Sequence, residues 1–190
     1  MNIIEKNLKE AKEILESFIS DRNNINSIEK AGELMTSTIK QSYKIISCGN
    51  GGSMSDAMHF AEELSGRFRE NRRALAAISI SDPTHISCTA NDFGYDYVFS
   101  RFIEANGQKG DCLLAISTSG NSKNVIEAAK IAKEKGITVV ALTGKDGGKL
   151  SKFCDVEIRA PYSDYADRVQ EIHIKVIHSL IHYIELNLID

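Results

Sequence analysis

The sequence predicts an α/β fold, in which a doubly wound parallel sheet lies between layers of helices. Beyond residue 42, short apolar runs that end in small polar residues alternate with helical stretches, a pattern typical of a parallel sheet covered on both faces. Two amphipathic stretches precede this alternation, and a long one ends the chain. We therefore expect one domain over residues 1–190, with residues 1–42 as a helical extension packed on it.

The helices are predicted from apolar residues that recur every three or four positions. The first covers residues 3–18, where this stripe consists of Ile4, Leu8, Ala11, Ile14, Leu15 and Phe18. Further helices are predicted over residues 25–42, 54–65 and 122–135. The last covers residues 164–188, and its apolar side carries Ile172, Val176, Ile177, Leu180, Ile181 and Ile184.

The strands are predicted from the apolar runs between these helices. They cover residues 44–48, 74–80, 112–117, 138–143 and 156–160. Ligands of open parallel sheets bind outside the carboxyl ends of the strands. A binding site is therefore expected in the loops that follow Cys48, Ile80, Ser117 and Thr143.

Composition and charge exclude several classes of protein. With 42% hydrophobic and 26% charged residues, the chain has the composition of a soluble globular protein. Its net charge of −3 lacks the basic surplus that nucleic-acid binding requires. The first ten residues contain no continuous apolar run, so we expect neither a signal peptide nor a membrane span, and a cytoplasmic location.

The four cysteines are far apart and show no C-x-x-C spacing. This argues against a zinc ribbon or a redox pair. Cys48, Cys88, Cys112 and Cys154 are therefore expected to serve as small apolar residues.

The loop after the first strand is rich in glycine, with the sequence Gly49-Asn50-Gly51-Gly52-Ser53. Glycine lets the backbone turn sharply and approach a ligand, and the N–H groups of the following helix can face an anion. A tight strand-to-helix connection favours glycine for its own sake, so this loop alone leaves both interpretations open.

The loop after the third strand is more specific. It runs Ser117-Thr118-Ser119-Gly120-Asn121-Ser122 and carries four hydroxyl side chains. These groups and the exposed N–H groups form a neutral cradle that can bind a phosphate without fixed cations. Ser122 could instead be only a helix N-cap, but the loop has more hydroxyls than capping needs. No G-x-x-x-x-G-K-[ST] element is present, so a nucleoside triphosphate is not the expected ligand.

Two helices carry candidate catalytic or metal-binding residues. His59 and Glu63 are four positions apart, so they share one helix face and can address one ligand or metal ion. A surface polar pair is the alternative, but this helix begins at the glycine-rich loop. On the last helix, Gln170 and His178 are eight positions apart, about 12 Å along the axis. His178 and His182 are also four positions apart, but His182 lies near the end of the helix, where a solvent-facing histidine is common, so it is not included.

Five stretches together resemble the phosphoheptose isomerases of the SIS (sugar isomerase) family. They are residues 48–53, 56–64, 91–94, 116–122 and 170–178, and the similarity covers nearly the whole chain. One departure is Met54-Ser55, where some relatives have a His-Cys pair. It lies beside the glycine-rich turn, where it affects the fine shape of the pocket, and it leaves every proposed site residue intact.

The resemblance implies a three-layer SIS fold, a homotetramer and one zinc ion per subunit. It implies that zinc is held by His59, Glu63, Gln170 and His178, with Glu63 as the base and His178 as the acid. Nitrogen and oxygen ligands without a thiolate suit a catalytic metal. The substrate-binding residues implied are Asn50, Gly51, Gly52, Ser53, Glu63, Asn91, Asp92, Ser117, Thr118, Ser119, Ser122 and Gln170.

The reaction implied is the conversion of sedoheptulose 7-phosphate to D-glycero-D-manno-heptose 7-phosphate through an enediol, the first step toward ADP-heptose and the lipopolysaccharide core. The alternative is a non-catalytic SIS module that binds a protein partner, and that branch lacks the counterparts of Glu63 and His178. Both residues are present here, which favours the enzyme. Asn91-Asp92 could also be an ordinary turn, and the roles of Arg67, Asp167, His173 and His182 stay open.

Overall fold

The computed structural model describes residues 2–188, which contain a five-stranded sheet. Its strands are β1 (Ile45–Cys48), β2 (Ala77–Ser79), β3 (Cys112–Ile116), β4 (Thr138–Thr143) and β5 (Val156–Arg159). All neighbouring strands are parallel and the order is β2-β1-β3-β4-β5. The chain starts at β1, moves outward to β2 and then crosses back to β3. The order therefore reverses between β1 and β3, where doubly wound sheets bind ligands.

The described residues also form seven α-helices and two short 3₁₀ turns. The helices are α1 (Ile3–Ser20), α2 (Arg22–Lys40), α3 (Gly52–Ser65), α4 (Pro83–Phe93), α5 (Ser100–Asn106), α6 (Lys123–Glu134) and α7 (Ala166–Leu186). The 3₁₀ turns cover Tyr95–Tyr97 and Leu150–Phe153.

The sheet is buried on both faces, which explains why its strands are continuous apolar runs. On one face, residues such as Ile45 and Leu114 join a core with α2, α3 and α7. On the other, Ile46 and Leu113 join a core with α5 and α6. The predicted doubly wound α/β fold is confirmed.

Two parts of the prediction differ from the structure. The run predicted over residues 74–80 forms only a three-residue strand, because β2 lies at the edge of the sheet and pairs with β1 alone. Helices α4 and α5 were not predicted. Asn91 and Asp92 lie in the last turn of α4, so their interpretation as a loop turn is wrong. Asp82 caps α4 by accepting from the His85 N–H, and Pro83 occupies its first turn, a start signal readable in the sequence.

The cysteines behave largely as expected. Cys48 and Cys112 are buried in strands, and burial raises the pKa of both thiols to about 12, which keeps them protonated and unreactive. All four cysteines are free, and Cys88 is exposed.

No helix within residues 2–188 combines the length and apolar character that crossing a bilayer demands.

His173 is a fully buried residue of α7. Its Nε2 lies 2.8 Å from the carbonyl oxygen of Thr143, the last residue of β4, so the ring joins α7 to the carboxyl end of the sheet. Burial lowers its pKa from 6.5 to about 4. His173 is thus a neutral packing histidine that donates one hydrogen bond.

This burial predicts a pH dependence of stability. Between pH 6.5 and about 4, the unfolded chain binds a proton at this ring and the folded chain does not. The contribution of the neutral His173 ring to the free energy of unfolding is therefore present at neutral pH and is lost as the pH falls. His173→Gln keeps a donor but does not titrate. The difference in unfolding free energy between wild type and variant should therefore shrink by about 3 kcal/mol over this interval. Urea unfolding at several pH values and fixed protein concentration measures it, and a constant difference would contradict the assignment.

Candidate functional site

The glycine-rich loop after β1 (residues 49–53, the glycine loop) and the loop after β3 (residues 117–122, the hydroxyl loop) lie side by side because β1 and β3 are neighbours. Hydrogen bonds between two side-chain amides connect the glycine loop to the helix that follows the hydroxyl loop. The side chains of Asn50 and Asn124, which lies in α6, exchange two hydrogen bonds of 2.9 Å. The Tyr95 hydroxyl also donates to Asn50 Oδ1 at 3.1 Å. Asn50 thus fixes the geometry of the switch point.

The glycine loop is in direct contact with α7. Gly51 has a φ of +56°, a conformation that glycine tolerates best. A Cβ at Gly52 would lie 2.6 Å from the Gln170 amide nitrogen, so the Gln170 side chain lies against the loop backbone where α3 begins. Ser53, the next residue, is buried. This contact places Gln170 beside the N-terminus of α3.

The hydroxyl loop holds its side chains in a defined arrangement. Ser117 donates to the Ser122 hydroxyl at 3.0 Å, and Ser119 Oγ accepts from the Asn121 N–H at 3.1 Å. Ser122 occupies the N-cap position of α6, yet its side chain makes no capping hydrogen bond. The capping interpretation therefore does not account for the Ser122 hydroxyl, which pairs within the loop.

A cavity of about 90 Å³ opens between the hydroxyl loop and the start of α7. It is lined by Thr118 and Ser119 on one side and by Ser163 and Asp164 on the other. Lys145, from the loop after β4, also lines it. A cationic residue from another loop therefore lines the same cavity as the hydroxyls.

The structure brings three predicted residues together where α3 packs against α7. His59 Nε2 lies 3.0 Å from His178 Nε2 and 3.8 Å from Glu63 Oε1. The other ring nitrogen, His59 Nδ1, lies 3.2 Å from Glu62 Oε1. Glu62 was not singled out from the sequence, although its i,i+3 spacing from His59 places it within reach.

This cluster fits a metal ion. The ligand atoms of His59, Glu62 and Glu63 lie within 4.8 Å of one another. Two nitrogens bound to one tetrahedral zinc ion, each about 2.0–2.1 Å from the metal, would lie about 3.3 Å apart, close to the 3.0 Å between the two histidines. Gln170, by contrast, lies against Gly52, seven residues or about two turns before His59 on α3.

Two pKa shifts mark the surroundings of the cluster. The pKa of His178 is lowered, first by burial and then by His59, which favours the neutral ring. Burial raises the pKa of Asp56, one turn before His59, to about 6. Its Oδ2 is buried without a hydrogen-bond partner among the described residues.

The other residues considered from the sequence lie on the surface or in local contacts. On α4, exposed Asn91 donates to Asp92 Oδ1 at 2.8 Å. Arg67 and Asp167 are also exposed. His182 is half-buried, and its Nδ1 lies 3.3 Å from Arg69 Nη1.

Comparison with known proteins identifies close relatives. The sequence model of the SIS domain family matches residues 7–144. A phosphoheptose isomerase of Cytophaga hutchinsonii is 64% identical over 182 residues, which cover 96% of this chain and 95% of that protein. One of Aeromonas hydrophila is 58% identical over 183 residues, covering 96% and 95%. The solved phosphoheptose isomerase of Neisseria gonorrhoeae superposes with a TM-score of 0.90 at 38% identity, covering 96% of this chain and 97% of that one.

The geometry of the cluster predicts zinc binding that depends on His59. After treatment with a chelator, the wild-type chain should bind about one zinc ion, and His59→Ala should weaken binding at least about tenfold because it removes the central nitrogen ligand. Isothermal titration with zinc measures this. His182→Ala on α7 is the matched control and should bind as the wild type does. Equal affinity of wild type and His59→Ala would contradict the site.

Proposed function

The chain belongs to the SIS domain family and, within it, to the phosphoheptose isomerases, and on that premise we propose that it converts sedoheptulose 7-phosphate to D-glycero-D-manno-heptose 7-phosphate. One observation supports the choice of Glu63 and His178 as the proton-transfer residues. Glu63 and His178, from two different helices, both lie within 4 Å of His59 Nε2, at 3.8 and 3.0 Å. Side chains suited to act as a base and an acid thus meet where α3 packs against α7.

The hydroxyl loop is the proposed phosphate site. Thr118 and Ser119 face the cavity that Lys145 also lines, and the N-terminus of α6 follows the loop. Hydroxyls, helix N–H groups and one ammonium group together suit a phosphate dianion. Phosphate bound there would orient the sugar toward the glycine loop and the cluster beyond it. Asn91 and Asp92 are proposed to contact sugar hydroxyls.

The reaction moves one proton between adjacent carbons and another between their oxygens. We assign Glu63 to remove a C-1 proton from the ketose while the carbonyl oxygen at C-2 gains a proton from His178, which gives an enediol. Glu63 then returns its proton to C-2, and His178 recovers one from the hydroxyl on C-1, so the aldehyde forms and both side chains regain their initial states. Because the pKa of His178 is lowered, the form of the ring that donates this proton near neutral pH is the neutral imidazole.

Zinc is the proposed cofactor, one ion per subunit, held by His59, Glu63, Gln170 and His178. Bound zinc would supply Lewis-acid polarisation of the carbonyl oxygen. The nitrogen and carboxylate donors of the cluster support this choice. Gln170 can join them only if its side chain moves from its contact with Gly52.

We also propose that the chain acts as a homotetramer in the cytoplasm. Ile3, Ile4 and Leu8 of α1 are exposed apolar residues, and a second copy would bury them. In this assembly residues 1–42 form a helical extension of a single SIS domain over residues 1–190. The product would feed the synthesis of ADP-heptose and the lipopolysaccharide core.

Replacing the proposed base tests the mechanism. Glu63→Gln keeps the size of the side chain but removes its basicity, so kcat should fall by roughly 10²–10⁴ while circular dichroism stays that of the wild type. His178→Gln should do likewise. A coupled assay with sedoheptulose 7-phosphate measures both.

Glu62→Gln is the matched control, because it removes the neighbouring carboxylate, which approaches the other nitrogen of His59. It should cost no more than about tenfold in kcat, as expected of a residue that orients a ligand. Turnover by Glu63→Gln close to that of the wild type would remove Glu63 from the mechanism and favour a non-catalytic SIS module.

A further inference from the structure

A buried ion pair lies at the C-terminal ends of the two helices that carry the proposed proton-transfer residues. Arg72 Nε lies 3.0 Å from Glu185 Oε1, and the two side chains are only 4% and 0% exposed. A buried charge pair stabilises a fold weakly unless further hydrogen bonds satisfy both groups. Here both groups have such bonds, and they connect to the proposed active site.

The Arg72 guanidinium donates hydrogen bonds to the backbone of the last turn of α3. Its Nη2 donates to the carbonyl of Glu63 at 2.8 Å, and its Nη1 donates to the carbonyl of Leu64 at 2.9 Å. These carbonyls have no partners within the helix, and a cation at a helix C-terminus also complements the helix dipole. Arg72 therefore holds the backbone of the proposed base directly.

Glu185 anchors the same segment to α7. Besides the bond from Arg72, its carboxylate accepts a hydrogen bond from the Arg69 N–H at 3.1 Å. The Arg69 backbone is thereby held against α7, and the ring of Phe68 lies 5.7 Å from that of His178. Glu185 follows His178 by seven residues, about two turns of the same helix.

We propose that Arg72 and Glu185 are positioning residues that set the separation of Glu63 and His178, and thereby control turnover more than substrate affinity. The inference rests on the proton-transfer roles proposed for Glu63 and His178. Reacting groups misplaced by about 1 Å can cost on the order of 10²-fold in rate. The proposed phosphate site lies on the hydroxyl loop and makes no described contact with this pair, so binding of the phosphate should change little.

A second, partly buried pair provides a matched control. Lys44 Nζ lies 2.7 Å from Asp111 Oδ2, with side chains 28% and 0% exposed. These residues precede β1 and β3, so they lie at the amino ends of the strands, opposite the loops of the site. Breaking this pair should destabilise the fold without moving α3 relative to α7.

The experiment compares Arg72→Lys, Glu185→Gln and Lys44→Met with the wild type. Lysine keeps a positive charge but loses the fork that reaches two carbonyls, and glutamine keeps the shape of Glu185 but removes its charge. We measure Tm, then kcat and KM well below each Tm. Arg72→Lys and Glu185→Gln should lower kcat about 10–100-fold with KM within about threefold. Lys44→Met should lower Tm and leave kcat within about twofold.

Zinc affinity gives a readout besides activity. Because His59 lies on α3 and His178 on α7, Arg72→Lys and Glu185→Gln should also weaken zinc binding about 10-fold, whereas Lys44→Met should not. If Arg72→Lys fails to fold, the same measurements on the milder Glu185→Gln test whether the ion pair positions Glu63 and His178.

The inference is overturned if Arg72→Lys and Glu185→Gln lower Tm but keep wild-type kcat and zinc affinity, since the pair would then be structural only. A raised KM with unchanged kcat would overturn it too. An active Glu63→Gln would instead defeat the proposed function. Inactive Glu63→Gln with fully active Arg72→Lys and Glu185→Gln would defeat this inference alone.

Discussion

The packing of α3 against α7 is the constraint on which the candidate site depends. The two helices touch in three places along their length: Gly52 against Gln170, His59 against His178, and the end of α3 against Glu185 through Arg72. Contacts advance along both helices in the same direction, so the helices run parallel. The start of α3 is fixed by the glycine loop and its end by the buried ion pair, and the cluster at His59 lies between these two anchors.

Much of this fold could be predicted from the sequence, because strand burial and helix amphipathicity leave local patterns. The i,i+4 spacing of His59 and Glu63 is local in the same sense. The meeting of His59 with His178 is not, since 119 residues separate them and only the family resemblance joined them. Helix α4 was missed because only Thr89 of its residues is buried, which leaves little apolar periodicity to read.

The site has two sides of different chemical character. Hydroxyls and the paired amides of Asn50 and Asn124 shape one side, where Lys145 and Asp164 also line the cavity. Carboxylates and histidines gather on the α3–α7 side. This separation suits a ligand with an anionic phosphate at one end and a carbonyl at the other. A chain of net charge −3 can thus receive an anion where donors outnumber carboxylates.

The most direct test is a crystal structure of the Glu63→Gln variant with sedoheptulose 7-phosphate bound. We expect the phosphate to contact Thr118, Ser119 and Ser122 on the hydroxyl loop, and C-1 and C-2 of the sugar to lie within about 3.5 Å of the side chains at position 63 and His178. A phosphate seated elsewhere, or reacting carbons remote from both side chains, would contradict this expectation.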